Sequence, residues 1–191
     1  MSKAGTEPQA GQTTQRRKVQ TVANIPAPQI RRLEPSDAAQ YREIRLEALQ
    51  RNPEAFGSTF EFEDAQPLSW FEASLGRAAI FGGFLDGTLA GMAGFAAEEG
   101  AKRAHKALLW GMYVRVAARN AGLGRRLVAA VLDHARGRVE MVKLSVVSEN
   151  EAARRLYQAM GFVEYGCEPR ALKQGGRYYD DVLMVNLLDH A

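Results

Sequence analysis

The sequence predicts a single α+β domain built on a mixed sheet, and three observations carry that prediction. Asp86-Gly87 stands between two apolar runs, Ala79 to Leu85 and Thr88 to Phe95, which is the strongest short-range sign of a hairpin. The stretch from Leu108 to Phe162 reads strand, glycine turn, helix, strand, helix and a glycine stop. The whole chain then gives the order βααβββαβαββ, which mixes runs of strands with intervening helices.

Residues 1–28 stand apart from this pattern. They are rich in Ser, Thr, Gln, Ala, Gly and Pro, have no apolar periodicity, and are expected to form a disordered tail ahead of a domain over 29–191. Lys3, Arg16, Arg17 and Lys18 against Glu7 give the tail a charge of +3, equal to the net charge of the whole chain. The remainder is therefore close to neutral, which argues against a nucleic-acid-binding face. Gln29 to Leu33 reads as the opening strand, and Pro35-Ser36 starts a helix carrying Tyr41, Ile44, Ala48 and Leu49 on one stripe until Asn52-Pro53 stops it. Ala55 to Asp64 reads as a polar and aromatic loop. A short helix follows with Leu68, Phe71 and Leu75 on one side and Gly76 at its end.

After the hairpin, a charged turn from Glu98 to Lys106 leads to a strand in which Leu108, Trp110, Met112 and Val114 alternate. Leu127, Val128, Val131, Leu132 and Ala135 form the apolar face of the next helix. Val142 to Val147 is a strand, and Ser148 and Glu151 have the spacing of a capping box for a helix that ends at Gly161. Val163 to Tyr165 and Tyr178 to Leu187 are the last two strands.

Between the Val114 strand and its helix lies Arg119-Asn120-Ala121-Gly122-Leu123-Gly124-Arg125. Gly122 and Gly124 remove the Cβ atoms that would keep a ligand off the backbone, and the first N–H groups of the following helix lack intrahelical acceptors. A pyrophosphate satisfies them. The helix dipole adds about 0.3–1 kcal/mol, and Arg119 and Arg125 add charge.

The paired motifs Arg119/Gly122/Gly124 and Asn150/Leu156-Tyr157/Gly161-Phe162 resemble those of the GNAT acetyltransferase superfamily. Two positions depart from its common pattern, Val116 where many members have proline and Asn120 where many have glycine, and neither removes a backbone amide. The resemblance implies a twisted, mostly antiparallel sheet with helices on both faces and two central parallel strands that splay apart. Acetyl-CoA is the implied co-substrate, its pantetheine arm pairing with backbone around Met112, Val114 and Val116 and its pyrophosphate lying on residues 119 to 125. It further implies Tyr157 as the acid that protonates the leaving thiolate, and Asn150 as a hydrogen-bonding partner of pantetheine or acceptor.

The acceptor is expected opposite the pantetheine, walled by Phe56, Tyr113 and Tyr179. Glu61 is ranked first as general base because residues Arg45 to Thr59 resemble a bacterial subgroup with an acidic residue just beyond; Glu63, His105, Asp180 and Asp181 are the other candidates. The reading is thus an acetyl-CoA-dependent N-acetyltransferase, monomer or homodimer, acting on a primary amine. The alternative is a catalytically idle acyl-CoA-binding module. A Rossmann domain does not fit, since the glycine pattern is incomplete and follows a late strand. No window approaches a membrane span and no secretory segment is present, so a cytosolic location is expected. The lone Cys167 excludes an internal disulfide and reads as a packing residue, and His105, His134 and His190 have no metal-ligand spacing.

Overall fold

The computed structural model describes Met1 and residues 28–188. The 1–28 tail and His190 therefore fall almost wholly outside the described residues. Strand β1 (Gln29–Arg32) is followed by a 3-10 turn, α1 (Ala38–Arg51), a second 3-10 turn (Pro53–Ala55), α2 (Phe60–Asp64) and α3 (Leu68–Arg77). Then come β2 (Ala79–Leu85), β3 (Thr88–Ala97), β4 (Lys106–Val114), α4 (Leu123–Ala135), β5 (Met141–Val147), α5 (Glu151–Ala159), β6 (Val163–Gln174) and β7 (Arg177–Leu187). The seven strands form one sheet in the order β1-β2-β3-β4-β5-β7-β6, in which β4 and β5 alone run parallel.

The β2–β3 hairpin turns through Asp86 and Gly87, both at positive φ (48° and 76°), as a two-residue primed turn requires. Helix α4 buries Leu127, Val128, Val131, Leu132 and Ala135 against one sheet face, in a cluster with Ala107, Leu109, Val142, Leu144 and Met184. On the other face α1 and α3 bury Tyr41, Ile44, Ala48, Phe71 and Leu75 against Ile80, Leu89, Met92 and Tyr113.

Four expectations need correction. The segment read as loop contains α2, five residues capped by the Thr59 side chain accepting from Phe62 N–H, too short to show a period. The cap of α5 is Asn150, whose Oδ1 accepts from Ala153 N–H at 3.2 Å, and not Ser148. Strand β6 runs on to Gln174, paired along β7 through a bulged stretch at Glu168 to Leu172; most of it is exposed, so no alternation marks it. Cys167 sits exposed on that strand rather than in a core.

Strand β4 also changes face partway. Met92 pairs with Tyr113 and Gly94 with Trp110, so Gly111 and Met112 together oppose the single residue Ala93. Gly111 takes φ 62°, a conformation in which glycine carries no Cβ penalty. Before this bulge Ala107 and Leu109 face α4; beyond it Met112 and Val114 do, while Trp110 and Tyr113 turn toward α1. The alternation of Leu108 to Val114 is thus not one continuous stripe.

Candidate active site

Strands β4 and β5 pair only at Lys106/Met141, Ala107/Val142 and Leu108/Lys143, and then diverge. The opening is a cleft of about 840 Å³. Arg115 N–H donates to the Ala90 carbonyl of β3, so by strand alternation the Val114 backbone faces the open edge, where Arg119 Nε now donates to its carbonyl at 3.1 Å.

The cradle at one end follows from local chain geometry. Asn120 and Gly122 both adopt positive φ (64° and 74°), folding the chain back into α4 with Gly122 as its N-cap. The first helical bond runs from Arg126 N–H to the Gly122 carbonyl, which leaves the amides of Leu123, Gly124 and Arg125 without helical acceptors. A Cβ on Gly122 would meet nothing within 4 Å. One on Gly124 would approach Leu156 and Met112 side-chain carbons at 3.2 and 3.3 Å. The cradle is therefore open above Gly122 and walled by apolar side chains above Gly124.

Across the cleft stand Ser145 to Val147 of β5 and Asn150, Ala153, Leu156 and Tyr157 of α5. Gly161, at φ 87°, closes α5 in a Schellman turn, with Phe162 N–H donating to the Tyr157 carbonyl and Gly161 N–H to that of Gln158. That turn packs the Phe162 ring edge-on to the Tyr157 ring at 5.8 Å. Burial pushes the Tyr157 phenol well above the ordinary tyrosine value, so it stays protonated. The Tyr113 hydroxyl donates to Glu47 Oε1 at 2.9 Å, and Glu47 in turn faces Arg115 Nε at 2.9 Å. Burial and that carboxylate raise the Tyr113 pKa as well.

Of the residues singled out in the sequence, the cleft brings together Phe56, Met112, Tyr113, Val114, Arg119, Asn120, Gly122, Leu123, Gly124, Arg125, Asn150 and Tyr157. Val116, in a 3-10 turn and 57% exposed, does not line it, nor do Ala121 and Tyr179. Glu61 is exposed on α2 and stays outside the lining, whereas Glu63 turns inward to Arg45. Of the other base candidates, Asp180 Oδ1 accepts from Arg170 N–H at 2.7 Å, and Asp181 is buried opposite Val147. The roof residues Asn52 and Glu54 and the wall residues Trp110 and Gly111 went unread. A glycine inside a strand pattern was the available signal for the last of these.

Unpaired amides at a helix N-terminus, an open strand edge and a buried phenol around one cleft are the features expected of an acyl-CoA-using transferase. The chain belongs to the GNAT acetyltransferase family, whose model matches residues 41–162. The L-amino acid N-acyltransferase MnaT of Escherichia coli (strain K12) is 30% identical over 125 residues, 64% of this chain and 72% of that protein. A GNAT-family acetyltransferase from Streptococcus pneumoniae superposes with TM-score 0.75 at 25% identity, covering 85% of this chain and 99% of that one. Salmonella typhimurium yncA, solved with its cofactor acetyl-CoA, gives TM-score 0.71 at 24% identity, over 86% and 95% of the two chains. Among the described residues no helix is long and apolar enough to cross a membrane.

Proposed function

We propose that the protein is an N-acetyltransferase that moves the acetyl group of acetyl-CoA to a primary amine. The observation that carries this reading is the placement of the α4 cradle, the open β4 edge and Tyr157 along one cleft. Acetyl-CoA brings the activated thioester. The amides of Leu123, Gly124 and Arg125 hold the pyrophosphate, and the Met112 and Val114 backbone pairs with the pantetheine amides as an added strand would. A backbone N–H near Val114 receives the thioester oxygen as charge grows on it, a contact worth about 3–4 kcal/mol of barrier.

Glu54, which lines the cleft, draws the ammonium and accepts its proton, in place of Glu61, which stays outside the lining. The amine nitrogen then bonds to the acetyl carbon as the carbon–sulfur bond breaks, and Tyr157 hands its proton to the departing thiolate. The net products are an amide, free thiol and one proton. Incubating the protein with acetyl-CoA and a panel of amines, with free thiol as the readout, tests this. Tight acetyl-CoA binding without thiol release for any amine would leave a binding module instead.

A further inference from the structure

The end of β4 that carries Val114 is thinly tied within the sheet. Its pairing with β5 stops at Leu108/Lys143, and beyond the Gly111 bulge only Met92/Tyr113 and Gly91/Val114 are in register with β3. Gly91 brings no side chain to pack across the last of these pairs. The Arg115 N–H bond to the Ala90 carbonyl then closes the ladder.

A second tie comes from α1. Tyr113 and Arg115 flank Val114 and, two residues apart on extended backbone, send their side chains to the same side. Both end on one carboxylate: the Tyr113 hydroxyl donates to Glu47 Oε1 at 2.9 Å, and Arg115 Nε lies 2.9 Å from Glu47 Oε2 as an ion pair without hydrogen-bond alignment. One helical turn earlier, Glu43 Oε1 accepts from Arg115 Nη2 at 2.5 Å. Arg51 Nε stands 3.5 Å from Glu47 Oε1 on the solvent side. Tyr113 is buried, and the Glu47 and Arg115 side chains are 27% and 20% exposed, so solvent screens this clamp less than it would a surface pair. Tyr113 and Val114 line the cleft and Glu47 does not, so the clamp grips the strand from behind.

We propose that Glu47 is a positioning residue for acetyl transfer: by holding the side chains on either side of Val114, it fixes the Val114 backbone at the open edge, where the thioester oxygen gathers charge. The proposal rests on the acetyl-transfer reading above. A donor displaced from the growing oxyanion loses most of its effect on the barrier, whereas binding of the pyrophosphate depends on the α4 amides and is untouched. Removal of Glu47 therefore acts on turnover rather than on affinity. A carboxylate is required because both partners are donors; a glutamine offers one acceptor oxygen and turns its NH₂ against the other partner.

The test uses the full chain well below its melting temperature, with acetyl-CoA, free-thiol detection and a fixed panel of amines: the twenty L-amino acids, spermidine, phenethylamine and trialanine. With the amine that the parent turns over fastest, Glu47→Gln should lower kcat about tenfold or more, while the calorimetric Kd for acetyl-CoA and the KM for that amine move less than about threefold. The double variant Tyr113→Phe with Arg115→Met, which lacks both arms of the clamp, should fall comparably, and adding Glu47→Gln to it should change kcat less than about twofold. If Glu47→Gln does not fold, Tyr113→Phe and Arg115→Lys carry the test, each expected to lower kcat at least about threefold at unchanged acetyl-CoA Kd. An undiminished kcat, a loss confined to acetyl-CoA affinity, or full additivity in the triple variant overturns the positioning role and leaves acetyl transfer standing. Absence of thiol release by the parent with every amine overturns acetyl transfer itself, and this proposal with it.

Discussion

Arg45 and Glu63 form a buried ion pair that joins α1 to α2, with Nη2 2.7 Å from Oε1 and both side chains less than one tenth exposed. Removing one partner strands the other charge away from water. Glu63→Gln or Arg45→Met should therefore destabilise the fold by about 3–5 kcal/mol in denaturant titrations, and Arg45→Met with Glu63→Leu should recover most of it. Additive losses in the double variant would show that the pair is not coupled.

Gly124→Glu drives a charged side chain against the Leu156 and Met112 carbons that wall the cradle and brings negative charge beside it, so acetyl-CoA affinity should fall at least tenfold by calorimetric titration. Gly122→Ala meets no steric obstacle but must hold φ 74°, so its cost of about 1–2 kcal/mol should appear in stability first. Unchanged affinity in Gly124→Glu would move the pyrophosphate elsewhere.

Tyr157→Phe should lower kcat at least tenfold while acetyl-CoA affinity stays nearly intact, because the hydroxyl acts only as the thiolate leaves. Burial raises the phenol pKa, so its proton is retained across the alkaline range. The kcat profile of the parent should accordingly show no descending limb from Tyr157 up to about pH 10. A limb near that pH in the parent, lost in the residual activity of the variant, would contradict the assigned environment.

Lys143 first and Arg103 second hold the Glu98 carboxyl down at about 2, against an ordinary 4.5, and Arg31 lowers Asp37. A depressed carboxylate stabilises the fold fully above its unfolded pKa and loses that contribution as pH falls through the folded one. Glu98→Gln should thus lower Tm at pH 7, and the gap to the parent should close between about pH 4.5 and 2. A constant gap over that window would remove the linkage.

Much of this was legible because local chemistry and tertiary context agree. Asp86-Gly87 can turn only one way, and the α4 face has both the period and the burial it needs. The cradle was legible because it is made of backbone, and glycines mark where backbone is exposed. Glu61 and Glu63 show the opposite case. Two residues apart on a helix they point about 200° away from each other, so one can meet Arg45, and which one depends on how α2 lies against α1. The Gly111 bulge escaped notice because the residues beside it keep an apolar alternation while the faces they serve are exchanged. Strand β6 escaped because exposure on both faces removes any binary pattern.

The three-residue seam between β4 and β5 means that four strands on one side and three on the other are joined edge to edge only at their base. A thioester arm laid into the gap would act as mortar between two panels as well as reactant. Amide deuteration at Met112 and Val114 should then slow when acetyl-CoA is present, so that the protein reports occupancy of its site through the stiffness of its own sheet.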